Sequence, residues 1–289
     1  MSLAEVIGAT YGPYPVTIAQ EKVAEYIEAT GDLADRWAEH APPSYAGALL
    51  FVVAPHFLDD VRVRPFTGVL VHVDQTFTWH AAFEIGAQVI VTGRVEKVRE
   101  RGGAYFVTFV AEVDTAGGER LLDAVSTFLM GEGSAPESDA GSDEPAVWRR
   151  DLNDSPTVRP RPAVGETVSL AKSASRVDLV KYAAASGDYS PIHVDHDAAR
   201  RAGLDGVVVH GLMMAAWGTQ AVTAISSRPD PLAHAKIRFR NALRPAAAAQ
   251  VTASMRDESV DGADCQVSLE ISSEATKLVT GVCVARLDG

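Results

Sequence analysis

Two long stretches of alternating apolar and polar residues dominate the chain, and a helical pattern precedes each of them. Alternation with a period of about two residues is typical of strands that have one buried face. It covers 68–79, 86–100, 104–115 and 119–130 in the first half, and 233–241, 248–257, 263–273 and 276–287 in the second. Turn signals at Arg101-Gly102-Gly103, Gly117-Gly118 and Asp261-Gly262 interrupt the alternation. The pattern therefore predicts two sets of antiparallel strands.

The segments that precede these strands have the residue spacing of helices. Their apolar series are Val23, Tyr26, Ile27 and Thr30 in the first half, and Val177, Val180 and Ala184 in the second. A capping-box pattern, in which Thr17 precedes Gln20 and Ser175 precedes Asp178, predicts where the two helices begin.

A second helical segment in each half is predicted to lie against the strands. Residues 211–226 are apolar on nearly every side, which indicates a helix buried on most of its surface. The counterpart in the first half, 46–54, is shorter and follows Pro42-Pro43. Long antiparallel strands after a long apolar helix predict an α+β fold in which a sheet wraps around that helix.

The two halves of the chain resemble each other. Ala29-Thr30-Gly31-Asp32 parallels Ala185-Ser186-Gly187-Asp188, and a shift of 162 residues places His72 on His234 and Phe77 on Phe239. Both histidines are expected to be structural. Residues 132–146 contain Ser, Gly, Pro, Ala and acidic residues without one Lys or Arg, a composition typical of flexible linkers. These features predict a domain over 1–131, a linker over 132–150 and a second domain over 151–289.

Composition limits the partners, the cellular compartment and the cofactors that are expected for the protein. The 289 residues carry a formal net charge of -12, so a nucleic-acid partner is not expected. No apolar stretch approaches the ~20 residues that a membrane span needs, and no secretory signal is visible at the N-terminus. The two cysteines, Cys265 and Cys283, exclude a disulfide framework and a four-cysteine zinc site. We expect a cytoplasmic protein without a metal or another cofactor.

The segment 186–211 contains the candidate chemistry. Asp188 follows a glycine at the end of a helix, and Pro191 sets a turn two residues before His193. A carboxylate and an imidazole five residues apart on an irregular segment can converge on one water molecule. His210-Gly211 then begins the buried helix, where a backbone N–H has no intrahelical partner and can bind a carbonyl oxygen that gains negative charge.

Ser-Gly-Asp-Tyr-Ser-Pro-Ile-His, followed by His-Gly-Leu-Met, resembles the signature of the MaoC-like, or type 2, enoyl-thioester hydratases. The resemblance covers about residues 163–287 and includes Lys236–Pro245, whereas the first half resembles the degenerate N-terminal domain of double members more weakly. It implies a double hot-dog fold, in which two antiparallel sheets, each wrapped around a long helix, join as a pseudo-dimer. It also implies a hydro-lyase that interconverts trans-2-enoyl and (3R)-3-hydroxyacyl thioesters in fatty acid metabolism.

The resemblance carries over to individual residues of the second half. Asp188 and His193 match the catalytic pair of the family, and Gly211 matches the glycine whose N–H binds the thioester carbonyl. Ser190 stands where many members have Asn, so it is expected to bind substrate with a shorter side chain. In the first half Gly31-Asp32 is followed by Leu33-Ala34-Asp35, which departs from the signature. One working site is therefore expected, and the first half, whose helix over 46–54 is shorter, is expected to accommodate the acyl chain of the substrate.

Further residues are candidates for contact with the substrate. Met213 could line an acyl tunnel beside Gly211, although it is most simply a core residue. Lys236, Arg238 and Arg240 alternate along a strand and could face a phosphate-bearing thioester, although a solvated strand face has the same pattern.

The sequence leaves open which molecule carries the acyl group and which type of reaction, if any, the protein catalyses. The substrate is expected to be an acyl-CoA or acyl carrier protein thioester. A hot-dog thioesterase and a non-catalytic acyl-binding partner remain as alternatives to the hydratase. A homodimer is expected, although two hot-dog domains in one chain can form the usual pairing internally.

Overall fold

One ten-stranded antiparallel sheet, built from both halves of the chain, is the largest element of the fold. The computed structural model describes residues 2–132, 153–159, 163–258 and 263–288. In chain order the first half forms β1 (Thr10–Thr17), α1 (Gln20–Thr30), β2 (His40–Ala41), α2 (Ala46–Leu50), α3 (Ala54–Leu58), β3 (Val69–Trp79), β4 (Phe83–Glu84), β5 (Gln88–Arg101), β6 (Ala104–Thr115) and β7 (Arg120–Gly131). The second half forms β8 (Thr167–Lys172), α4 (Arg176–Ser186), α5 (His196–Arg201), α6 (Gly211–Thr223), β9 (Leu232–Phe239), β10 (Ala249–Glu258), β11 (Asp264–Ser273) and β12 (Thr276–Arg286).

The strand order shows that each half forms five adjacent strands. The order is β1-β5-β6-β7-β3-β9-β12-β11-β10-β8, and every neighbouring pair is antiparallel. At the junction β3 pairs with β9, where Thr76 lies opposite Lys236. The two half-sheets therefore continue into each other as a pseudo-dimer. This arrangement confirms the predicted α+β double hot-dog fold.

Helix α6 fills the concave side of the second half-sheet. All its residues from Leu212 to Thr223 are buried, and it packs against β10, β11 and β12. The prediction of a helix buried on most sides is confirmed, although α6 ends at Thr223 rather than at residue 226. A helix without a polar face cannot be exposed to water on any side without loss of hydrophobic stabilisation. The sheet therefore has to wrap around it.

The corresponding helix of the first half is interrupted. Two five-residue helices, α2 and α3, replace the single helix predicted over 46–54, and a turn at 51–53 separates them. Pro55 lies in the first turn of α3, a position that proline tolerates because the N–H groups there lack intrahelical acceptors. Within one continuous helix, the same proline would remove a hydrogen bond and clash with the preceding turn. The break leaves space on this side of the sheet.

The pattern missed the two edge strands, β1 and β8. Strand β1 contains Gly12, Pro13 and Pro15, residues that disfavour strand interiors, so its alternation is weak. Strand β8 has only six residues, of which Thr167, Ser169 and Lys172 are polar. Edge strands tolerate both features because one of their sides forms no ladder hydrogen bonds.

Two local predictions about the helices are wrong. Thr17 does not cap α1, because it is the last residue of β1 and the N-cap is Ala19 without a side-chain hydrogen bond. The Ser175–Asp178 capping box of α4 is confirmed. The apolar series of α4 lies on its exposed face, since Val177 and Val180 are 39% and 57% exposed. Its buried face instead includes Leu179, Tyr182 and Ala183.

Nearly all of the linker predicted over 132–150 lies outside the described residues, so the division into domains stays a prediction. Among the described residues, no helix is both long enough and apolar enough to cross a bilayer.

Gly93 on β5 allows the turn between α2 and α3 to approach the sheet. A Cβ at Gly93 would lie 2.5 Å from Phe109 Cζ and 2.7 Å from Val53 Cγ2. We therefore expect Gly93→Ala to lower the free energy of unfolding by about 1–3 kcal/mol through overpacking, as measured by urea denaturation. Gly131→Ala is the matched control, because a Cβ at this strand position would have its nearest neighbour, Val69 Cβ, at 3.7 Å. Equal stability of the two variants would contradict this account of the close approach.

Candidate active site

The end of α4 places Asp188 in the interior. The helix ends at Gly187, whose φ of +81° lies in the left-handed region that favours glycine. The backbone N–H of Asp188 then donates to Ser186 Oγ at 3.2 Å. The reversal of the chain buries the Asp188 side chain, which is only 7% exposed.

A short 3₁₀ turn over Pro191–His193 brings the imidazole to the same place. His193 Nδ1 lies 2.8 Å from the carbonyl oxygen of Val208. Because a carbonyl oxygen only accepts, Nδ1 carries the hydrogen of the neutral ring, and Nε2 keeps its lone pair. His193 can thus accept a hydrogen bond from a water or a substrate through Nε2.

The side chains of Asp188, His193 and His210 form a compact buried cluster. A carboxylate oxygen of Asp188 and one ring nitrogen from each histidine lie within 4.8 Å of one another. A water with two hydrogen bonds of about 2.9 Å can span such a separation. The convergence of Asp188 and His193 that the spacing suggested is therefore present in the structure.

Burial shifts the ionisation of all three groups. Removal from water raises the pKa of the Asp188 carboxyl, and the nearby His193 and the Ser190 N–H oppose this shift. The same desolvation lowers the pKa of His193, with Asp188 opposing the shift. Burial also holds the pKa of His210 well below its ordinary value, and His193 lowers it further. At neutral pH both imidazoles are consequently neutral.

Gly211 is the first residue of α6 and lines the same cavity. Its backbone N–H lies at the positive end of a 13-residue helix, where no intrahelical acceptor is available. A Cβ at this position would lie 3.2 Å from Phe239 Cε1. Glycine thus keeps the approach to the helix N-terminus open.

Asp188, His193 and Gly211 line a largely apolar cavity of about 360 Å³. Its walls come from both halves of the chain, and the lining includes Phe51, Leu58, Leu70, Val71, Phe128, Met214 and Phe239. A wider cleft of about 730 Å³ adjoins it. Asp188, Ser190 and Ile192 line both spaces, so the carboxylate lies where the cavity meets the cleft.

The structure brings some of the predicted substrate-binding residues to the cavity and not others. Ser190 lines it, and the Ser190 N–H donates to Asp188 Oδ1 at 3.3 Å. Arg240 also lines it. Met213 is buried in the core and does not line the cavity, whereas Met214 does.

The other two residues of the basic stripe lie away from the cavity. Lys236 and Arg238 are exposed on β9 and do not line its walls. Arg238 is paired with Asp74 on β3 at 2.7 Å, so it joins the two half-sheets. This ion pair accounts for its position without a substrate.

The sequence predicted that the first half accommodates the substrate, but the pattern did not indicate that His72 contributes to the cavity wall. His72, expected to be structural, lines the cavity with its ring between Phe128 and Phe239. Burial lowers the pKa of His72 to about 4, so its ring is neutral at pH 7. Its counterpart in the repeat, His234, instead lies 3.2 Å from Thr78 Oγ1. The repeat thus aligned two histidines whose surroundings differ.

The equivalent place in the first half lacks the pair of a carboxylate and an imidazole. Trp37 lies five residues after Asp32, as His193 lies five residues after Asp188. The Asp32 carboxylate accepts from the Leu33 N–H at 2.8 Å, and the buried Lys172 donates to the Gly31 carbonyl at 3.1 Å. An indole cannot act as an acid or a base at neutral pH. This arrangement favours one site rather than two.

The cluster of Asp188, His193 and His210 does not fit a metal ion. The two imidazole rings are stacked with centroids 3.7 Å apart and planes 25° apart. Ring lone pairs lie in the ring plane, so those of nearly parallel rings do not converge on one point. In addition, one nitrogen of each ring already lies at a backbone carbonyl.

Family models match both halves of the chain. The model described as MaoC like domain matches residues 157–277, and the model described as FAS1-like, dehydratase domain region matches residues 5–124. The two matches together include eight strands of the ten-stranded sheet in full and only the first residues of β7 and β12.

Individual proteins are similar to the chain in sequence or in fold. A UPF0336 protein of Leifsonia xyli is 31% identical over 140 residues, which are 43% of this chain and 91% of that protein. 3-Hydroxyacyl-thioester dehydratase X of Mycobacterium tuberculosis is 29% identical over 195 residues, 67% of this chain and 62% of that protein. A solved MaoC-like dehydratase superposes with a TM-score of 0.82 at 19% identity, covering 99% of this chain and 100% of the other.

The raised pKa of Asp188 has a consequence for stability. The folded state binds this proton more tightly than the unfolded state, so the stabilisation from the neutral carboxyl is lost as the pH rises through the folded-state pKa. We therefore expect Asp188→Asn, which stays neutral, to have a higher melting temperature than the wild type at pH 7. The difference should vanish below the ordinary pKa of Asp, where both states of the wild type are protonated.

Thermal unfolding followed by circular dichroism across this pH range measures the effect. Asp205→Asn is the control, since the side chain of Asp205 is 86% exposed. A lower melting temperature for Asp188→Asn at pH 7 would contradict the burial of an ionised carboxylate.

Proposed function

Because the chain belongs to the MaoC-like hydratase/dehydratase family, in its double hot-dog form, we propose that it reversibly hydrates trans-2-enoyl thioesters to (3R)-3-hydroxyacyl thioesters. The observation that carries this proposal is the convergence of Asp188 and His193 within one apolar cavity that Gly211 at the start of α6 also lines. An acid–base pair, a site for one water and a backbone donor are the groups that conjugate addition of water to a thioester requires.

In the hydration direction Asp188 and His193 position the attacking water. The water donates one hydrogen bond to the Asp188 carboxylate and one to His193 Nε2, which is the unprotonated nitrogen. Its oxygen attacks C3 as Asp188 takes a proton from it. The C2–C3 π electrons move toward the thioester oxygen, and Asp188 then returns the proton to C2. The added atoms are therefore those of one water, and the carboxylate is restored.

Gly211 is assigned to the thioester oxygen. This oxygen becomes enolate-like when C3 is attacked, so a donor aimed at it stabilises the transition state more than the ground state. The helix dipole of α6 acts in the same direction. Ser190 contributes through its N–H, which holds one Asp188 oxygen in place.

The first half is proposed to accommodate the acyl chain. Leu58, Leu70 and Phe128 from this half provide apolar walls, and the break between α2 and α3 leaves the space that a continuous helix would fill. Together with the adjoining cleft, the cavity has room for long or bulky acyl groups.

Arg240 is proposed to contact the carrier of the acyl group, either CoA or an acyl carrier protein. It is the member of the predicted stripe that reaches the cavity, where its side chain is exposed and donates to Thr280 Oγ1 at 3.2 Å. Among the described residues it forms no ion pair, so its charge is available to a phosphate. We further propose a cytoplasmic enzyme, because a sequence with only two cysteines offers no disulfide framework of the kind that stabilises proteins of oxidising compartments.

The central test is a hydration assay with trans-2-enoyl-CoAs of increasing chain length. The wild type should remove the conjugated enoyl absorbance without releasing free thiol. Asp188→Asn and His193→Gln should each lower kcat by about 10²–10⁴-fold, because each removes an acid–base group. Asp205→Asn, which changes an exposed acid, should match the wild type. Release of thiol would instead identify a thioesterase, and binding without turnover would identify an acyl-binding partner.

The assignment of Arg240 has a separate test. Arg240→Glu should raise KM for an enoyl-CoA about tenfold or more, the loss expected when an attractive phosphate contact becomes repulsive. The KM for the matching N-acetylcysteamine thioester, which has no phosphate, should not change. Arg256→Glu makes the same change in net charge on a residue that does not line the cavity, and it should affect neither substrate. Equal effects of Arg240→Glu on both thioesters would contradict a phosphate contact.

A further inference from the structure

His210 occupies an unusual position for a buried polar residue. It is the residue before α6, and its side chain, with 0% exposure, does not cap the helix. It turns inward to the cluster instead. Burial of a polar side chain costs free energy unless that side chain forms hydrogen bonds or other contacts in the interior.

The first of those contacts reaches the backbone of Asp188. His210 Nε2 lies 3.2 Å from the Asp188 carbonyl oxygen, so Nε2 must carry the hydrogen that is donated. The other nitrogen, Nδ1, is buried and has no hydrogen-bond partner among the described residues. The ring is therefore held as the neutral Nε2–H tautomer.

The second contact covers the face of His193. The two rings stack at 3.7 Å with planes 25° apart, while Tyr182 lies 4.8 Å from the His210 ring centroid. His193 is already tied in its own plane to the Val208 carbonyl. Stacking adds the restraint that this hydrogen bond cannot supply, because it prevents the ring from tilting out of plane.

We propose that His210 is a positioning residue that holds the main chain of Asp188 and the ring plane of His193 in fixed relation. It acts through both members of the pair and has no contact with substrate. His193 keeps its hydrogen on Nδ1, from which it is donated to the Val208 carbonyl. His193 Nε2 thus stays available to the attacking water. This inference rests on the proposed function.

Two variants separate the two contacts. His210→Phe keeps an aromatic ring for stacking but cannot donate to Asp188, whereas His210→Gln keeps a donor but removes the ring. Each should lower kcat by up to about 10²-fold, the effect of a small misplacement of reacting groups, with KM nearly unchanged. His196→Gln is the control, because His196 lies near the same loop, accepts from the Val207 N–H and does not line the cavity.

A double-mutant cycle distinguishes positioning from a general effect on folding. In a His193→Gln background, His210→Gln should cost much less than it does alone, because the ring that it positions is gone. Equal costs in the two backgrounds, or wild-type kcat for both His210 variants, would overturn the proposal. A parallel fall in kcat and melting temperature for His196→Gln would overturn it as well.

A measurement on the wild type keeps the inference independent of activity and of variant folding. Nitrogen-15 correlation spectra of the imidazoles should show the Nδ1–H tautomer for His193 and the Nε2–H tautomer for His210 at neutral pH. The opposite tautomer at His210 would overturn the proposal. If the wild type hydrated no enoyl thioester, the proposed function would fail, while the spectra would still report whether His210 is held as described.

Discussion

Burial of a carboxylate next to a neutral imidazole is the constraint on which the site depends. Asp188 forms no ion pair with a Lys or Arg side chain among the described residues, and its direct support comes from the Ser190 N–H and from His193. A charge held this way is costly, because the interior lacks the solvation that water provides. The same cost makes the group a stronger base than an exposed carboxylate. The surrounding fold must therefore hold it rigidly, and the glycine at the end of α4 together with the 3₁₀ turn over Pro191–His193 accounts for how it does so.

The two halves of the fold are similar in topology and different in what they contribute. The second half retains a continuous helix α6, whose start lies at the cavity. The first half has two short helices and supplies apolar walls such as Leu70 and Phe128. Because β3 pairs directly with β9, backbone hydrogen bonds join the strands of the first half to those of the second. The site is thus a property of the joined sheet rather than of either half.

Much of this was predictable from the sequence, and the limits have physical causes. Alternation places eight strands within about two residues of their observed ends, because one buried face imposes that pattern. The edge strands β1 and β8 were not predicted from the pattern, because edge strands tolerate proline and polar residues. Val177 and Val180 did not identify the buried face of α4, because periodicity shows that a helix has an apolar stripe but not which way that stripe faces. The pairing of Asp188 with His193 could be expected from a local turn, whereas the role of His72 in the wall and the contact of His210 with both residues depend on packing between distant segments.

Trp37 shows that two halves joined in one chain can hold different residues at equivalent positions. In an assembly of two identical hot-dog chains, any change that widens one acyl cavity or replaces one imidazole appears in every copy, the catalytic copy included. Here an indole stands at the position equivalent to His193, and a buried lysine bonds to the neighbouring loop, without alteration of Asp188. Because both halves belong to one polypeptide, a residue can change in one half without changing in the other. The first half can therefore vary in shape while the second half keeps its carboxylate and imidazole.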